Sequence, residues 1–559
     1  MTVPAVPDPL VRAAEVWRDE DPDPITRGEV DDLLARGDAA GLAARFGDRL
    51  QFGTAGLRGP LGAGPNRMNR ALVRRATAGV VAWLREQGEV GAVVVGRDAR
   101  HGSADFAADT AAVLAGAGFR ALVLPAPLPT PVAAFAVRHL QAVAGIVITA
   151  SHNPPQDNGY KLYLGDGAQI VPPVDGQISA HIDAIGSLDE IPMGQTGIEV
   201  VGDEVVEAYL AGAVGLLGDG PRRVTAVYTA MHGVGAETLR RAVSLAGFPP
   251  LVEVLEQVEP DPDFPTVAFP NPEEPGALDL ALARAREVAA DLVLANDPDA
   301  DRLAVAIPDP AVEGGWRALT GDELGALLAD HLLRRVGHGP DDTVVTTVVS
   351  SRLLQRLAAA AGVAYAESLT GFKWVVRAPA AGQRFVFGYE EALGYCVGEL
   401  VRDKDGVSAA LVAAELAAER RAAGSDLVER LDEIFRAHGA HVTRQRSIRV
   451  EGSDWLDRVT AAMASLRAEP PTEVAGLAVE AVEDLLPGGR LPPSDVLVWT
   501  LDGARLVVRP SGTEPKCKCY AESVVPVVDD DVAAARGAAR EIVEAVLDAA
   551  GELLVARGL

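Results

Sequence analysis

The sequence predicts an α/β protein that ends in a smaller α+β domain. Three observations carry this reading. From about residue 70, Ala-rich helical stretches alternate with short apolar runs of strand character. The alternation resumes twice further along the chain. From about residue 446 it gives way to strand-like segments and one long Ala-rich helix.

Residues 1–50 mix charged and apolar positions, as in Val30-Asp-Asp-Leu-Leu-Ala-Arg36, and read as a helical arm. Residues 51–215 form a first α/β region, with strands expected at 91–96, 121–124 and 145–149. A second region, 216–315, contains the strand-like runs 224–228 and 291–296. A third, 316–440, contains 343–347. Breaks are expected near 215–221, 308–315 and 437–442. The remainder, 441–559, has strand-like 446–451 and 495–510 and a helix over 532–556.

Composition bounds the function. The 559 residues are 48% hydrophobic and 23% charged, which suits a globular protein. A net charge of −28 argues against nucleic acid as a partner, because that needs a basic stripe. No run reaches the ~18 apolar residues of a membrane span. The first residues lack a basic segment followed by an apolar one, so the expected compartment is the cytoplasm. Three cysteines are too few for a disulfide framework. Cys517 and Cys519 would share one strand face and pack there. Isolated His181, His331 and His338 are expected to be exposed or to cap locally. No obligate protein partner is evident.

Chemistry concentrates in three segments. In 149–161, Thr-Ala-Ser-His-Asn-Pro-Pro-Gln-Asp-Asn-Gly-Tyr-Lys, an apolar strand runs into a turn forced by Asn153-Pro154. Ser151 stands at that turn, where a nucleophile is exposed by the end of a rigid element. His152 is adjacent and Lys161 follows. In 297–302, Asp-Pro-Asp-Ala-Asp-Arg, three carboxylates alternate on a tight loop, and their repulsion calls for a cation. Hard oxygen ligands point to Mg²⁺ or Ca²⁺. Arg302 at the sixth position and Pro308 at the twelfth argue against a calcium EF-hand loop. Mg²⁺ takes few carboxylates and completes its shell with water or phosphate oxygens, so phosphate is the expected further partner. In 509–515, Arg-Pro-Ser-Gly-Thr-Glu-Pro, an Arg fork, two hydroxyls and a glycine suit a phosphate cradle or an ordinary polar turn.

Together these segments resemble the α-D-phosphohexomutase superfamily of phosphoglucomutases and phosphomannomutases. Gly53-Thr-Ala-Gly-Leu-Arg-Gly59 is similar to its N-terminal active-site loop, and Gly388-Tyr-Glu-Glu-Ala-Leu-Gly-Tyr395 to its sugar-binding loop. Thr370-Gly-Phe-Lys-Trp374 and Thr229-Ala-Met-His-Gly-Val-Gly235 resemble the longer branch, which includes bacterial phosphoglucomutases and phosphopentomutases. The matches occur in family order.

The resemblance implies three similar α/β domains in series plus the C-terminal α+β domain, around a central cleft over which the last domain closes. Ser151 would be the phosphoserine. Asp297, Asp299 and Asp301 would bind Mg²⁺ with a Ser151 phosphoryl oxygen, and Arg302 would sit beside the transferring phosphate. Arg58, His152, Lys161 and Lys373 would serve acid/base work and charge stabilisation. Glu390 and Glu391 would bind the sugar, and Arg509, Ser511, Gly512 and Thr513 the phosphate that is not transferred. The implied reaction interconverts glucose 1-phosphate and glucose 6-phosphate through glucose 1,6-bisphosphate. Phosphomannomutase, phosphopentomutase and a metal-dependent sugar-phosphate phosphatase are the alternatives. Ala392 departs from the family's serine two residues after the sugar-binding Glu and removes one hydroxyl contact.

Overall fold

The computed structural model describes residues 8–335, 337–452, 454–511 and 515–559. These form two compact units, one of 1–318 with 394–419, the other of 319–393 with 420–559.

The first unit begins with three helices, Asp8–Glu20, Pro24–Arg36 and Ala39–Phe46. Asp23 and Asp38 cap the second and third by accepting backbone N–H bonds. They bury Val30, Leu33 and Leu42 around Ala14. A six-stranded sheet follows, in the order 57–60, 157–164, 144–148, 92–97, 120–123, 198–200. Its four strands from 144–148 onward are parallel, and the first two pairings are antiparallel. Helices cover the parallel strands, so Ala92–Arg97 and Ala144–Ile148 are apolar at nearly every position instead of alternating. A second, five-stranded sheet has the order 316–318, 304–308, 292–295, 226–229, 252–253. In both sheets, loops leaving the ends of buried strands carry the chemistry.

In the second unit, strands Ala364–Ser368, Asp342–Thr347 and Arg384–Glu390 are parallel neighbours. The C-terminal sheet is antiparallel throughout, in the order 440–449, 516–525, 504–510, 497–501, 477–484, 473–474. Helices Trp455–Ala468 and Val532–Val555 pack on it. The run expected as one strand at 495–510 is a hairpin, because Asp502-Gly503 turns the chain and Gly503 has φ +68°. Cys517 and Cys519 lie on strand Lys516–Val525 and are buried.

The two sheets of this unit share a core in which Val348, Val349 and Leu369 meet Val498, Val507 and Tyr520. A buried ionic knot reinforces it. Glu522 accepts from Ser351 Oγ (2.7 Å), Arg352 N (2.8 Å) and Arg352 Nε (3.1 Å), with His441 Nδ1 at 3.0 Å. Arg505, 3.3 Å from Glu522, donates to the carbonyls of Val348 (3.1 Å) and Ser350 (2.5 Å). Of the three isolated histidines, His331 departs from expectation. It is buried in helix Gly321–Leu333, which is covered on nearly every face.

Candidate active site

Ser151 follows strand Ala144–Ile148 and takes φ +54°, a left-handed conformation rare for a serine. Strain of this kind persists only when the surroundings over-determine it. Here the main constraint is Arg100, which is buried. Its two terminal nitrogens donate to the carbonyls of Ser151 (2.5 Å), Asn153 (2.6 Å), Pro154 (2.9 Å) and Asp157 (3.2 Å). Its Nε lies 3.3 Å from Asp98, and Phe264 covers the guanidinium at 4.9 Å. The turn after the strand is therefore held at four carbonyls by one planar fork.

The Ser151 hydroxyl donates to Asp297 Oδ2 at 2.7 Å, and His152 Nδ1 lies 3.1 Å away. Arg58, on strand Leu57–Pro60, donates to Asn153 Oδ1 at 3.2 Å. Lys161 stands on strand Asp157–Leu164, opposite Val147 of the strand that leads to Ser151. The pairing register thus delivers both residues to one end of the sheet.

The acidic loop leaves strand Leu292–Ala295 and turns at Ala300, φ +53°. Asp297 Oδ1 accepts the Arg302 N–H (3.0 Å), and Asn296 Nδ2 donates to the Arg302 carbonyl (2.6 Å). Gly406 is needed beside it, since a Cβ there would lie 2.2 Å from that carbonyl oxygen. Asp297, Asp299 and Asp301 are buried, and one oxygen from each lies within 4.8 Å of the others. Lys161 Nζ donates to Asp299 Oδ2 (2.7 Å) and Asp301 Oδ2 (2.8 Å).

The charges are uneven. Burial and the repulsion of Asp299 and Asp301 push Asp297 well above the usual carboxylate range. Burial opposes ionisation of its two neighbours as well, but Lys161, together with Thr130 at Asp299 and with Lys404 and Arg302 at Asp301, holds both below that range. Burial also disfavours the Lys161 ammonium, yet the two carboxylates together keep its pKa raised. His152 is driven well below its ordinary value by burial and by the charges of Arg302 and Arg58, so its imidazole is neutral. Arg302 NH1 lies 3.3 Å from Glu273.

The donor set fits a hard divalent cation. All three candidate ligands are carboxylates, and Asp299 Oδ1 and Asp301 Oδ1 are buried with no hydrogen-bond partner among the described residues. A cation between them would satisfy both.

Three residues that sequence reasoning passed over belong here. Thr130 Oγ1 donates to Asp299 Oδ2 (2.7 Å) and orients it. Lys404 Nζ lies 3.3 Å from Asp301 Oδ2. Arg100 is the loop clamp. Only Lys404 left a local signal, the run Arg402-Asp-Lys-Asp-Gly406 immediately before an apolar helix.

The remaining candidates lie in the second unit. Glu390 ends strand Arg384–Glu390, and its Oε1 accepts the Gly371 N–H at 2.6 Å. That bond ties it to the loop carrying Lys373, on the short helix Phe372–Val375. Glu391 Oε2 faces Thr347 and Ser350. Arg509 is the penultimate residue of strand Ala504–Pro510, beside Tyr520, and buried Ser511 donates its N–H to the Lys516 carbonyl (2.9 Å). Gly512 and Thr513 lie outside the described residues.

A buried serine hydrogen-bonded to an acidic loop able to hold a metal, between helix-covered sheets, has the parts that phosphoryl transfer requires. Comparison with known proteins makes this specific. The chain matches the phosphoglucomutase/phosphomannomutase family in each of its parts. The three alpha/beta/alpha domains I, II and III match over residues 49–189, 209–311 and 320–435, and the C-terminal domain over 460–542. It is 44% identical to a protein of Haemophilus influenzae named "Probable phosphomannomutase", over 82% of this chain and 93% of that one. It is 35% identical to a phosphopentomutase of Mus musculus (92% and 90% covered) and to a phosphoglucomutase of Staphylococcus epidermidis (84% and 90%). The crystal structure of a phosphoglucomutase/phosphomannomutase family protein from Burkholderia thailandensis shares its fold, with a TM-score of 0.66 at 22% identity over 88% of this chain and 96% of that one. The chain belongs to the α-D-phosphohexomutase superfamily, and it is an enzyme of the mutase class, an intramolecular phosphotransferase. Its fold is the expected series of three α/β domains and a C-terminal domain. Among the described residues no helix is long and apolar enough to cross a membrane.

Proposed function

We propose that this mutase interconverts glucose 1-phosphate and glucose 6-phosphate, with Ser151 as the group that donates and recovers the phosphoryl. The observation that carries this is the Ser151 hydroxyl, on its strained turn, 2.7 Å from the buried triad residue Asp297. Phosphorylated Ser151 would pass its phosphoryl to the free hydroxyl of the sugar phosphate. The Ser151 P–O bond breaks as the sugar P–O bond forms, and the sugar's hydroxyl proton passes to a base. The resulting glucose 1,6-bisphosphate would turn over and return its other phosphoryl to Ser151.

Mg²⁺ held by Asp297, Asp299 and Asp301 would neutralise charge on the phosphoryl oxygens when bound. Arg302 and Lys161 supply further positive charge, since such transfers depend on electrostatics and positioning. Arg58, His152, Lys161 and Lys373 are the candidates for proton transfer. Lys404 joins them because it contacts the same carboxylate as Lys161. Glu390 would accept from ring hydroxyls. Arg509 and Ser511, with Gly512 and Thr513, would hold the phosphate that stays behind. A fixed phosphate cradle then serves either end of the sugar.

Mannose and pentose phosphates are the competing substrates, and the relatives' names span all three sugars. Ala392 in place of a serine bears on this choice. A panel of glucose, mannose and ribose 1-phosphates decides it, run with Mg²⁺ and a trace of glucose 1,6-bisphosphate while following isomer and free phosphate together. Fastest isomerisation of the glucose ester supports the proposal. A faster mannose or ribose ester reassigns the substrate, and phosphate release without isomer overturns the mutase reaction in favour of hydrolysis.

A further inference from the structure

Glu390 and Glu391 are adjacent, yet their carboxylates have different partners. Glu390 reaches the Gly371 N–H, whereas Glu391 turns toward two hydroxyls of its own domain. Glu391 Oε2 lies 3.3 Å from Thr347 Oγ1 and 3.1 Å from Ser350 Oγ, and those two oxygens are 2.8 Å apart. Ser350 Oγ also accepts the Glu391 N–H at 3.2 Å. Thr347 and Ser350 are fully buried.

Three oxygens in mutual contact make three edges, but the two hydroxyls supply only two protons. An ionised Glu391 leaves one edge as lone pairs facing each other at hydrogen-bond distance. A proton on Oε2 gives every edge a donor. We propose that Glu391 is held as a neutral acid and acts as a positioning residue. Its proton closes the ring with Thr347 and Ser350 and anchors the loop bearing Glu390, so that one negative charge instead of two faces an anionic sugar phosphate. This rests on the reading of Glu390 as the ring-binding group.

The surroundings agree. Burial, the charge of Glu390 and that of Asp322, on helix Gly321–Leu333, push the Glu391 carboxyl up to about 7. Asp322 itself accepts from Ser351 N, Tyr389 OH and Thr443 Oγ1. Tyr520, on strand Lys516–Val525, is driven up by burial and in part by Glu391. Arg505, from strand Ala504–Pro510, holds the Ser350 carbonyl, but its charge is shared with Glu522 (3.3 Å) and Glu367 (3.5 Å). The backbone is fixed as well, since a Cβ on Gly321 would lie 1.9 Å from the Glu391 carbonyl oxygen.

The test is an infrared titration of the whole enzyme with saturating Mg²⁺ between pH 5.5 and 8.5, as wild type minus Glu391→Gln. A protonated-carboxyl C=O band that fades with a midpoint near 7 is expected. In parallel, KM for glucose 1-phosphate should rise about tenfold in the wild type across that midpoint, the scale of one lost hydrogen bond. It should stay flat in Glu391→Gln once the substrate's own titration, common to both, is divided out. Ser350→Ala opens the ring without touching the carboxyl, and at pH 6 it should show the KM the wild type reaches at pH 8, with kcat little changed. Absence of the band at pH 6, or parallel KM profiles, overturns the proposal. If no sugar of the panel is isomerised, the function assigned above fails, while the infrared band still decides whether Glu391 is neutral.

Discussion

Replacing Arg100 with lysine tests whether the Ser151 turn is shaped from behind. Lysine keeps a positive charge beside Asp98, so the buried carboxylate is not stranded, but it cannot place donors on four carbonyls at once. One ammonium in that space reaches two of the four. Two hydrogen bonds are lost, each with a net value of about 1 kcal/mol, or ~2 kcal/mol in all. For a unit of more than 300 residues each kcal/mol shifts the melting temperature by only about 1–2 °C, so a fall of about 2–4 °C is expected. The functional effect should be larger. The left-handed Ser151 backbone is retained only under constraint, and an ångström of misplacement costs on the order of 10²-fold in rate. Steady-state kinetics with saturating sugar phosphate and Mg²⁺, beside a thermal melt, separate the two effects. A kcat within threefold of wild type, together with the lowered melting temperature, would refute the claim that Arg100 sets the geometry of the Ser151 turn.

Other expectations are sharper in sign than in size. Ser151→Ala should abolish isomerisation with the fold intact, read by turnover and circular dichroism; wild-type-like activity would remove Ser151 from the mechanism. Asp299→Asn should weaken Mg²⁺ affinity and rate together, measured by metal titration of activity, and unchanged affinity would count against the acidic loop. Arg509→Ala should raise KM by about tenfold or more with a smaller effect on kcat; an unchanged KM would place phosphate binding elsewhere. Glu522 makes a prediction about acid stability. Burial opposes its charge, but Arg505, His441 and Arg352 outweigh that and hold its pKa below the ordinary 4.5. Its contribution is therefore present above about pH 4.5 and is lost as pH falls through the depressed folded value. Glu522→Gln should cost about 3–5 kcal/mol at pH 7 by stranding the arginines, and the gap should narrow on acidification. A gap independent of pH, followed by denaturant unfolding, would contradict the charged assignment.

Much of this protein could be read from its residues in order. Apolar runs without alternation marked buried strands, because a strand covered on both faces has no polar side, and their parallel pairing emerged only in the structure. Asn153-Pro154 marked the end of one such strand, and alternate aspartates marked a loop that needs a cation. These signals are local, written in neighbouring residues. What was illegible is long-range. Nothing near Arg100 announces that its fork would close on carbonyls more than fifty positions away, and nothing near Thr130 points to Asp299, 169 positions on. Nothing near Arg352 announces that it binds buried Glu522 across 170 positions. The Glu391 side chain was grouped with sugar contacts from its place in a motif, and only packing turned it toward Thr347 and Ser350. The physical reason is the same in each case. Local sequence determines which strands end in reactive loops, through periodicity and turn chemistry. A buried charge has to find its partners in three dimensions, and which partners those are depends on sheet order and register that close only when the chain has folded.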